Sequence, residues 1–579
     1  MSKKGIVIIF ALISVFLLVN GVANFGTVSE SEFVYMGVLL LSFLLIAMLA
    51  AKLIAYIAEE KVFVLLYCIK KKMMIAELAG CGVLFLAGLI IRIVVACKAD
   101  YRKPANGYEH LDVLFPAEKL YHSLVGFFDN FAVGGISGCE MLNIVASMLS
   151  ILLVYFIVRS MYGRSGGLVV MAISAFWPSH INGIAYDSAQ YVCALLFLAV
   201  IYFFIHFRKS KYWWAFSLAC GVCLGVLIYL ETSMYILLAV LVASVFIKGE
   251  EGREQSFSEN FMKRLPAAAI SIVITFVTIA GVNMAMASSM GVEAGKITGV
   301  NGYAVLSGFN VESNGNENKE DYDYLMSNYE ETSNAKDAQR VAMDKGVQRF
   351  MADKAEGFNL MLKKAQYIFG CGYELASRVE LSGSRFIYLE DAYYLLILLG
   401  TGMFAVELLQ RNHRGYINFI IVIGILTVVS GAMFMTEGTV QMQFAYIMAI
   451  CSSAMVSIYY RRKLGDDTIR TIAEIRRLQE EEEKKKEKWT SNLTSKLNIQ
   501  STGENTEENA EAEDSDYFFD EEEEMEEDSK VDEDIEQLLS KLSIDPSVLG
   551  TESIREKRRK KIEQAKEKQK NKENNDFDM

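Results

Sequence analysis

The sequence predicts an all-α polytopic membrane protein with about twelve transmembrane helices. Three observations favour this fold class. Hydrophobic residues make up 52% of the 579-residue chain, and its mean hydropathy is +0.25 although the C-terminal region is strongly charged. Apolar runs near twenty residues recur, and each can cross roughly 30 Å of hydrocarbon as a helix. Lys and Arg collect in alternate loops between these runs, as they do in membrane proteins of fixed orientation.

The predicted spans cover residues near 5–24, 34–58, 75–97, 141–161, 166–185, 188–207, 212–230, 233–247, 266–288, 391–409, 416–434 and 439–460. Basic clusters such as Lys70 to Lys72 and Arg461 to Lys463 fall on one side, whereas loop 26–33 carries only the acids Glu30 and Glu32. The positive-inside rule therefore predicts a cell-membrane protein with both termini in the cytoplasm. For the first run, a cleaved signal peptide is the alternative to a retained helix.

The same pattern predicts how the chain is organised. Two loops on the extracytoplasmic side, 98–140 and about 290–388, are too long to be simple connectors. The predicted parts are two N-terminal helices (1–74), a membrane module (75–289) with outer loop 98–140, an extracytoplasmic segment (290–388), C-terminal membrane helices (389–463) and a cytoplasmic tail (464–579).

The first outer loop contains an amphipathic stretch from Ala117 to Phe128. Its apolar residues Leu120, Leu124 and Phe127 recur at helical spacing, which predicts a helix. A helix of this kind beside a membrane is expected to lie along its surface, with those residues facing the acyl chains.

The cytoplasmic tail is expected to be mostly disordered. Residues 467–490 have the charge pairing of an exposed helix, the acidic segment 501–534 is too polar to form a core, and residues 555–572 are basic. Anionic lipid or a cytoplasmic protein are the partners that this tail suggests. The net charge of −13, with no aromatic residues among the basic ones, argues against nucleic acid.

The cysteines lie mostly within the predicted spans, and none has zinc-site spacing. Cys97 and Cys139 bracket the first outer loop, where two free thiols are favoured over a disulfide. A solvated turn is favoured over a calcium loop for the residues Asn310, Glu312, Asn314 and Asp321. No metal ligand is predicted, and the cofactor stays open, with a divalent cation as the candidate.

Candidate chemistry collects at the extracytoplasmic mouth of the membrane module. Ionisable groups at the ends of spans are costly unless they are paired or used. A carboxylate there can accept a proton from an acceptor hydroxyl, and a cation can stabilise a departing phosphate. The alternative is that Arg92 pairs or snorkels and that the acids are ordinary solvated residues. The groups concerned are Arg92, Asp100, Arg102, Glu109, His110, Asp112, His180 and Asp187.

Several short motifs follow one another along the module: a span with Arg92, an acidic outer loop, Tyr162-Gly163, Ala175-Phe-Trp-Pro-Ser179, Asp187-Ser188 and Gly221 to Glu231. In these motifs, over roughly residues 75–400, the chain resembles bacterial GT-C-type glycosyltransferases, the group that contains protein O-mannosyltransferases and lipid A aminoarabinose transferases. This resemblance implies a sugar donor linked to polyprenyl phosphate in the membrane and an extracytoplasmic acceptor.

The resemblance also implies residue roles. Asp112 or Glu109, with Asp100 as the third choice, matches the acid that assists the acceptor. Arg92 and Asp187 match family positions expected to bind substrate, and the place of Arg102, His110 and His180 at the outer mouth adds them as expected substrate-binding residues. The chain departs from the family pattern in having no adjacent Asp-Glu pair in the first loop, and Glu231-Thr232 where many members have Arg-Pro.

Two other functions stay open at this stage. One is a non-catalytic scaffold for cell-envelope polymer assembly that acts through the charged tail. The other is a transporter, which is less favoured because no inverted repeat is evident and the ionisable groups collect at one face.

Overall fold

A computed structural model describes residues 3–25, 37, 40–42, 70–98, 111–132, 134–207, 212–246, 257–369, 385–410, 417–434 and 440–464. Most of the predicted second span lies outside these residues, and so does the tail beyond residue 464, with its predicted segments 467–490, 501–534 and 555–572. The chain divides into two units, Met1–Ala47 with Ala79–Ile458, and Met48–Leu78 with Tyr459–Met579. The contacts discussed below lie within the first unit.

Every regular element in these ranges is a helix. In chain order they are α1 Lys3–Phe25, α2 Lys70–Lys98, α3 Pro116–Asp129, α4 Gly138–Ala175, α5 Pro178–Asn182, α6 Gln190–Phe207, α7 Trp213–Leu230, α8 Ile236–Phe246, α9 Phe257–Met290, α10 Gly302–Gly308, α11 Lys319–Thr332, α12 Ala335–Ala352, α13 Lys354–Phe369, α14 Arg385–Gln410, α15 Ile417–Met433 and α16 Val440–Leu464.

The all-α, multi-pass fold class is confirmed. Within the described residues, six helices are long and apolar enough to cross a membrane, and four shorter apolar helices accompany them. The count of about twelve spans and the orientation of the termini stay predictions. "Outer" below means the side that the positive-inside pattern predicts to be extracytoplasmic.

Helix α4 is a hairpin rather than one straight helix. Gly163, at φ 82° and ψ −170°, interrupts it in a conformation that favours glycine. A Cβ on Gly167 would lie 3.0 Å from the ring of Tyr155, although a straight helix separates residues twelve apart by roughly 18 Å. The chain therefore reverses at Gly163, between the predicted spans 141–161 and 166–185. The returning arm ends at Ala175, well before residue 185, because Trp177 and Pro178 start the short α5.

Helices α7 and α9 approach closely through small residues, as helices in membranes often do. A Cβ on Gly221 would lie 2.6 Å from the Ser271 carbonyl oxygen. Ser271 Oγ donates to the Ser217 carbonyl at 3.1 Å, and Thr275 Oγ1 donates to the Gly221 carbonyl at 3.3 Å. This packing sets the position of the outer end of α7, beside the first outer loop.

The first outer loop docks on the second outer segment. Gln339 of α12 donates to the Leu114 carbonyl at 2.9 Å and accepts from the backbone N–H of Tyr303 at 3.0 Å. Leu114 and Phe115 share an apolar cluster with Tyr303 and Leu306. The two outer segments therefore form one packed layer within this unit.

Helix α3 exists where the amphipathic pattern predicted it, but the expected orientation was partly wrong. Leu120 packs beside Tyr229, and Leu124 packs beside Cys139. Phe127 is 58% exposed and is the member of the predicted stripe that faces outward. The leucines turn inward because the outer ends of α4, α7 and α9 offer them protein surface.

Hydrogen bonds from Lys364 link α13 to α10 and to the end of α15. This buried side chain donates from Nζ to the Gly308 carbonyl at 2.5 Å and to the Phe434 carbonyl at 2.7 Å. Burial lowers the pKa of Lys364 from 10.5 to about 7. A neutral amine keeps two hydrogens for these acceptors, so the tie between α10, α13 and the end of α15 survives deprotonation.

We expect Lys364→Met to lower thermal stability at pH 8 because each carbonyl left unpaired costs about 1–3 kcal/mol. The folded state releases the Lys364 proton at lower pH than the unfolded state. The wild-type protein should therefore gain stability between pH 7 and pH 9 relative to the variant. Lys363→Met, at the exposed neighbouring position, is the control, and equal unfolding curves for both variants would contradict this account.

Candidate active site

Helix α3 carries the polar face of the site. It begins at Pro116, whose missing N–H suits the first helical turn, and near its end the Asp129 carboxylate accepts from the Gly138 backbone N–H at 2.7 Å. Tyr121 and Leu124 pack against α4 and α6. The opposite side of α3 therefore presents its charged residues toward the outer side.

His122 of α3 meets Asp187, which precedes α6. Nε2 of His122 lies 3.8 Å from Oδ2 of Asp187; the histidine side chain is 55% exposed and the aspartate side chain 6%. The facing Asp187 carboxylate raises the pKa of His122, and Glu118 and Asp112 add to the effect against the opposing influence of burial. The pair favours an imidazolium at the outer surface above a buried acid.

A polar floor supports Asp187. Tyr121 OH lies 3.2 Å from Cys139 Sγ, and both groups interact with the Asp187 carboxylate. Asn143, one turn deeper in α4, donates to the carbonyls of Ile184 and Tyr186, each at 3.0 Å. The loop that ends at Asp187 is thereby tied to the first arm of the hairpin.

The structure describes the two cysteines and the turn near residue 310 for which the sequence left alternatives open. Cys97 and Cys139 are free thiols. Within the described residues, no group of three or more His, Cys, Asp or Glu side chains could hold a metal ion. The expectation of a solvated turn was wrong for two of its residues, because Asn310 and Asp321 are buried: the Asp321 carboxylate accepts from Asn310 at 2.9 Å and pairs with Arg349 at 2.7 Å.

Asp112, the favoured base, forms an ion pair with Lys119 of α3. Lys119 Nζ lies 2.7 Å from Asp112 Oδ2, and the two side chains are 38% and 53% exposed. Exposed pairs of this kind contribute little to stability, about 0–1 kcal/mol. The carboxylate is therefore within reach of solvent and can exchange its partner.

Arg92 lies in a second, deeper cluster. Its buried guanidinium donates to Ser147 Oγ at 2.8 Å, the Ala175 carbonyl at 2.9 Å and the Ser174 carbonyl at 3.2 Å. These bonds join α2 to both arms of the α4 hairpin. In this arrangement Arg92 positions the module and does not face the outer surface.

His180 belongs to the same deeper cluster. Its ring stacks on the Trp177 ring, with 4.9 Å between the ring centroids, and contacts the Tyr446 ring, with 5.0 Å between the centroids. Glu390 of α14 accepts from Trp177 Nε1 at 2.9 Å and from the Ser179 backbone N–H at 2.7 Å. The hydrogen bonds to Glu390 therefore attach the loop after α4 to α14.

The structure thus brings some predicted residues together and separates others. Asp187 lies at the rim with His122, and Asp112 lies beside them through Lys119. Arg92 and His180 are fully buried among helices. The remaining predicted residues, Asp100, Arg102, Glu109 and His110, lie outside the described residues.

Sequence reasoning missed Lys119 and Glu390 as members of these clusters and did not select His122 as a site residue. Lys119 and His122 are three positions apart in a predicted helix, a spacing that puts both on one face. Glu390 is an acid at the edge of an apolar run, the feature that had selected Arg92. The sequence shows both of these patterns, but it does not show which residues the side chains contact.

Glu231 follows α7 directly and caps the next turn. Its Oε1 accepts from Ser233 Oγ at 2.6 Å and from the Ser233 backbone N–H at 3.3 Å. Where the family pattern has Arg-Pro, this chain therefore has an acid engaged in local hydrogen bonds.

Residues 130–280 match the family model described as dolichyl-phosphate-mannose-protein mannosyltransferase. This region contains the α4 hairpin, Asp187 and helices α6 and α7. The match confirms the resemblance to divergent GT-C-type proteins over this part of the chain. No curated protein matches the sequence.

Two solved structures are similar to this chain at low identity. One is the archaeal oligosaccharyltransferase AglB from Archaeoglobus fulgidus with an inhibitory peptide and a dolichol-phosphate, at TM-score 0.37 and 11% identity, covering 66% of this chain and 50% of that chain. The other is ArnT from Cupriavidus metallidurans bound to undecaprenyl phosphate, at 0.28 and 12%, covering 68% and 79%. The chain thus spans half the length of the archaeal protein. Neither likeness is close enough to carry a functional argument.

We expect Arg92→Lys to lower thermal stability because one ammonium group cannot reach all four acceptors of the guanidinium, which include the Gly88 carbonyl at 3.1 Å. Each buried acceptor left unpaired costs about 1–3 kcal/mol. Ser147→Ala, which removes one of those acceptors, should cost less. Unchanged thermal unfolding of Arg92→Lys, together with lost binding of a polyprenyl phosphate, would instead make Arg92 a substrate contact.

Proposed function

We propose that this chain is a membrane glycosyltransferase that transfers a sugar from a polyprenyl-phosphate-linked donor to an extracytoplasmic acceptor. The family match over residues 130–280 carries the proposal. The acid-and-cation cluster at the outer end of the matched module supports it, because Asp187 of that module meets His122 of the preceding loop. The whole-protein activity, the acceptor and the orientation are part of the proposal.

The reaction needs a base and a stabilised leaving group. An acceptor hydroxyl oxygen attacks the anomeric carbon of the donor, and the bond from that carbon to the phosphate oxygen breaks. The polyprenyl phosphate leaves with the electron pair, and a carboxylate takes the hydroxyl proton. Cations near the phosphate stabilise its increasing negative charge.

Asp112 is the base that we assign, with Glu109 and then Asp100 as the alternatives in the same loop. The support for Asp112 is its exposed carboxylate beside the cations of α3. Asp187 acts in donor binding through His122. Arg102 and His110 are proposed donor contacts, and Arg92 and His180 are proposed to shape the site from below.

We expect Asp112→Asn to reduce transfer from a polyprenyl-phosphate-linked sugar by about 10²–10⁴-fold, the usual contribution of a general base. Glu109→Gln is the parallel test of the alternative base. Purified variants in nanodiscs should keep the wild-type melting temperature. Glu293→Gln, which removes an exposed acid paired with Lys296 at 3.6 Å, is the matched control. Normal turnover in both loop variants would refute this assignment of the base.

A scaffold that acts through the cytoplasmic tail is the second candidate, and the charged composition of residues 464–579 favours it. Deleting 465–579 separates the two functions. A transferase should keep its turnover after truncation because every proposed site residue precedes the tail. A scaffold should lose its cellular function after the same truncation, to the same degree as a complete gene deletion.

A further inference from the structure

We propose that Lys119 and His122 form a phosphate cradle on α3 and that phosphate binding releases Asp112 from Lys119. The inference rests on the proposed function, which it deepens by naming the cations that meet the donor. The ligand chemistry is the phosphate of a polyprenyl lipid. Lys119 and His122 add to the proposed donor contacts Arg102 and His110, in a chain that has Glu231 where the family pattern has a cation.

The spacing of the two cations fits one phosphate group. Residues three apart lie next to each other on a helix surface, so Lys119 and His122 present their charges side by side. Both side chains are substantially exposed, at 38% and 55%. Each is also held by an acid, Asp112 for Lys119 and Asp187 for His122, which orients the cations before a ligand arrives.

His122 keeps one donor for the ligand. Its Nε2 faces Asp187, and a protonated imidazole carries a second N–H on Nδ1. A charge-assisted hydrogen bond from this group to a phosphate oxygen is roughly twice as strong as a neutral one. Asp187 is buried and stays in place, so it acts as a positioning residue rather than as a group that contacts the donor.

The charge of His122 depends on its surroundings. Asp187 faces it from the loop before α6, Glu118, Lys119 and Tyr121 lie on its own helix, Asp112 lies in the preceding segment, and Cys139 and Glu140 open α4. The raised pKa means that the attraction between His122 and Asp187 is present at low pH and is lost as pH rises through the folded-state pKa. Phosphate binding through His122 should weaken over the same range.

Lys119 can change partners at low cost. Its pair with Asp112 is exposed and therefore contributes only about 0–1 kcal/mol. A phosphate oxygen offers Lys119 an alternative charged acceptor, and the exchange leaves the Asp112 carboxylate without its cation. Donor binding would thus expose the base in the same step that neutralises the leaving group.

Exposed aromatic residues favour a lipid phosphate over a soluble anion. Phe127 and Phe131, near the C-terminal end of α3, are 58% and 56% exposed, and their ring centroids are 5.3 Å apart. Phe side chains on the apolar face of an interfacial helix insert into the boundary between headgroups and acyl chains. A phosphate bound on α3 would therefore lie beside a surface suited to a lipid chain.

The cradle can be tested by binding alone, with the full-length protein in nanodiscs. Farnesyl phosphate is the probe, and farnesol, inorganic phosphate and phosphatidylglycerol are the comparison ligands. We expect farnesyl phosphate to bind more tightly than all three. Lys119→Gln and His122→Gln should each weaken its binding by at least about ten-fold, whereas Lys296→Gln and His206→Gln should leave it unchanged. Unchanged binding in both α3 variants would overturn the cradle, and equal binding of inorganic phosphate or phosphatidylglycerol would overturn the assignment to a polyprenyl lipid.

NMR titration of labelled histidine provides a second measurement. His122→Gln identifies the His122 resonance among the five histidines of the chain. Asp187→Asn should lower the pKa of His122 and move the loss of farnesyl phosphate binding to lower pH. Adding His122→Arg to Asp187→Asn should restore binding at high pH, because Arg stays charged. If Asp187 had only a structural role, the added His122→Arg substitution would not restore binding. Failure of this rescue would therefore overturn the positioning role.

The binding and transfer measurements distinguish the two proposals. Cradle-dependent binding without transfer from any lipid-linked sugar would overturn the transferase and keep the phosphate site. Transfer that is indifferent to both Lys119→Gln and His122→Gln would overturn the cradle and keep the transferase.

Discussion

The arrangement of the site depends on how the loop between α4 and α6 is held. The returning arm of the hairpin ends at Ala175, and the last carbonyls of a helix have no partner within it. Arg92 supplies donors to two of these carbonyls from a neighbouring helix. Buried carbonyls without partners would be costly in a membrane, so Arg92 stabilises the end of the arm that Trp177 and Pro178 impose.

Hydrogen bonds with α14 and with the first arm of α4 hold the rest of that loop. Glu390 holds Trp177 and Ser179, and Asn143 holds the carbonyls of Ile184 and Tyr186. With both ends tied to helices, Asp187 has a defined position at the outer surface. The buried contacts of Arg92, Glu390 and Asn143 therefore support the rim cluster. This cluster consists of Asp187, His122, Asp112 and Lys119.

The rim cluster combines two pairs of unlike strength. Asp187 is buried and faces an exposed histidine, whereas Asp112 and Lys119 are both substantially exposed. Solvent screening makes the second pair easy to exchange, while in the first pair one member, Asp187, is buried. A buried acid next to an exchangeable pair suits a site that binds a charged group and then uses a carboxylate.

The sequence by itself determined the all-α membrane fold, the helix at 117–128 and the break between the spans 141–161 and 166–185, because apolar run length and helical periodicity are local properties. It also selected Asp187, because an acid beside an apolar run is conspicuous, and it selected Asp112 through the family resemblance. Only the tertiary structure decided that Arg92 and His180 lie in the interior and that His122 meets Asp187. Those outcomes depend on which helices become neighbours, and hydrophobic periodicity specifies that a face is buried without specifying what buries it. The inward turn of Leu120 and Leu124 has the same origin, because membrane lipid and a neighbouring helix present equally apolar surfaces.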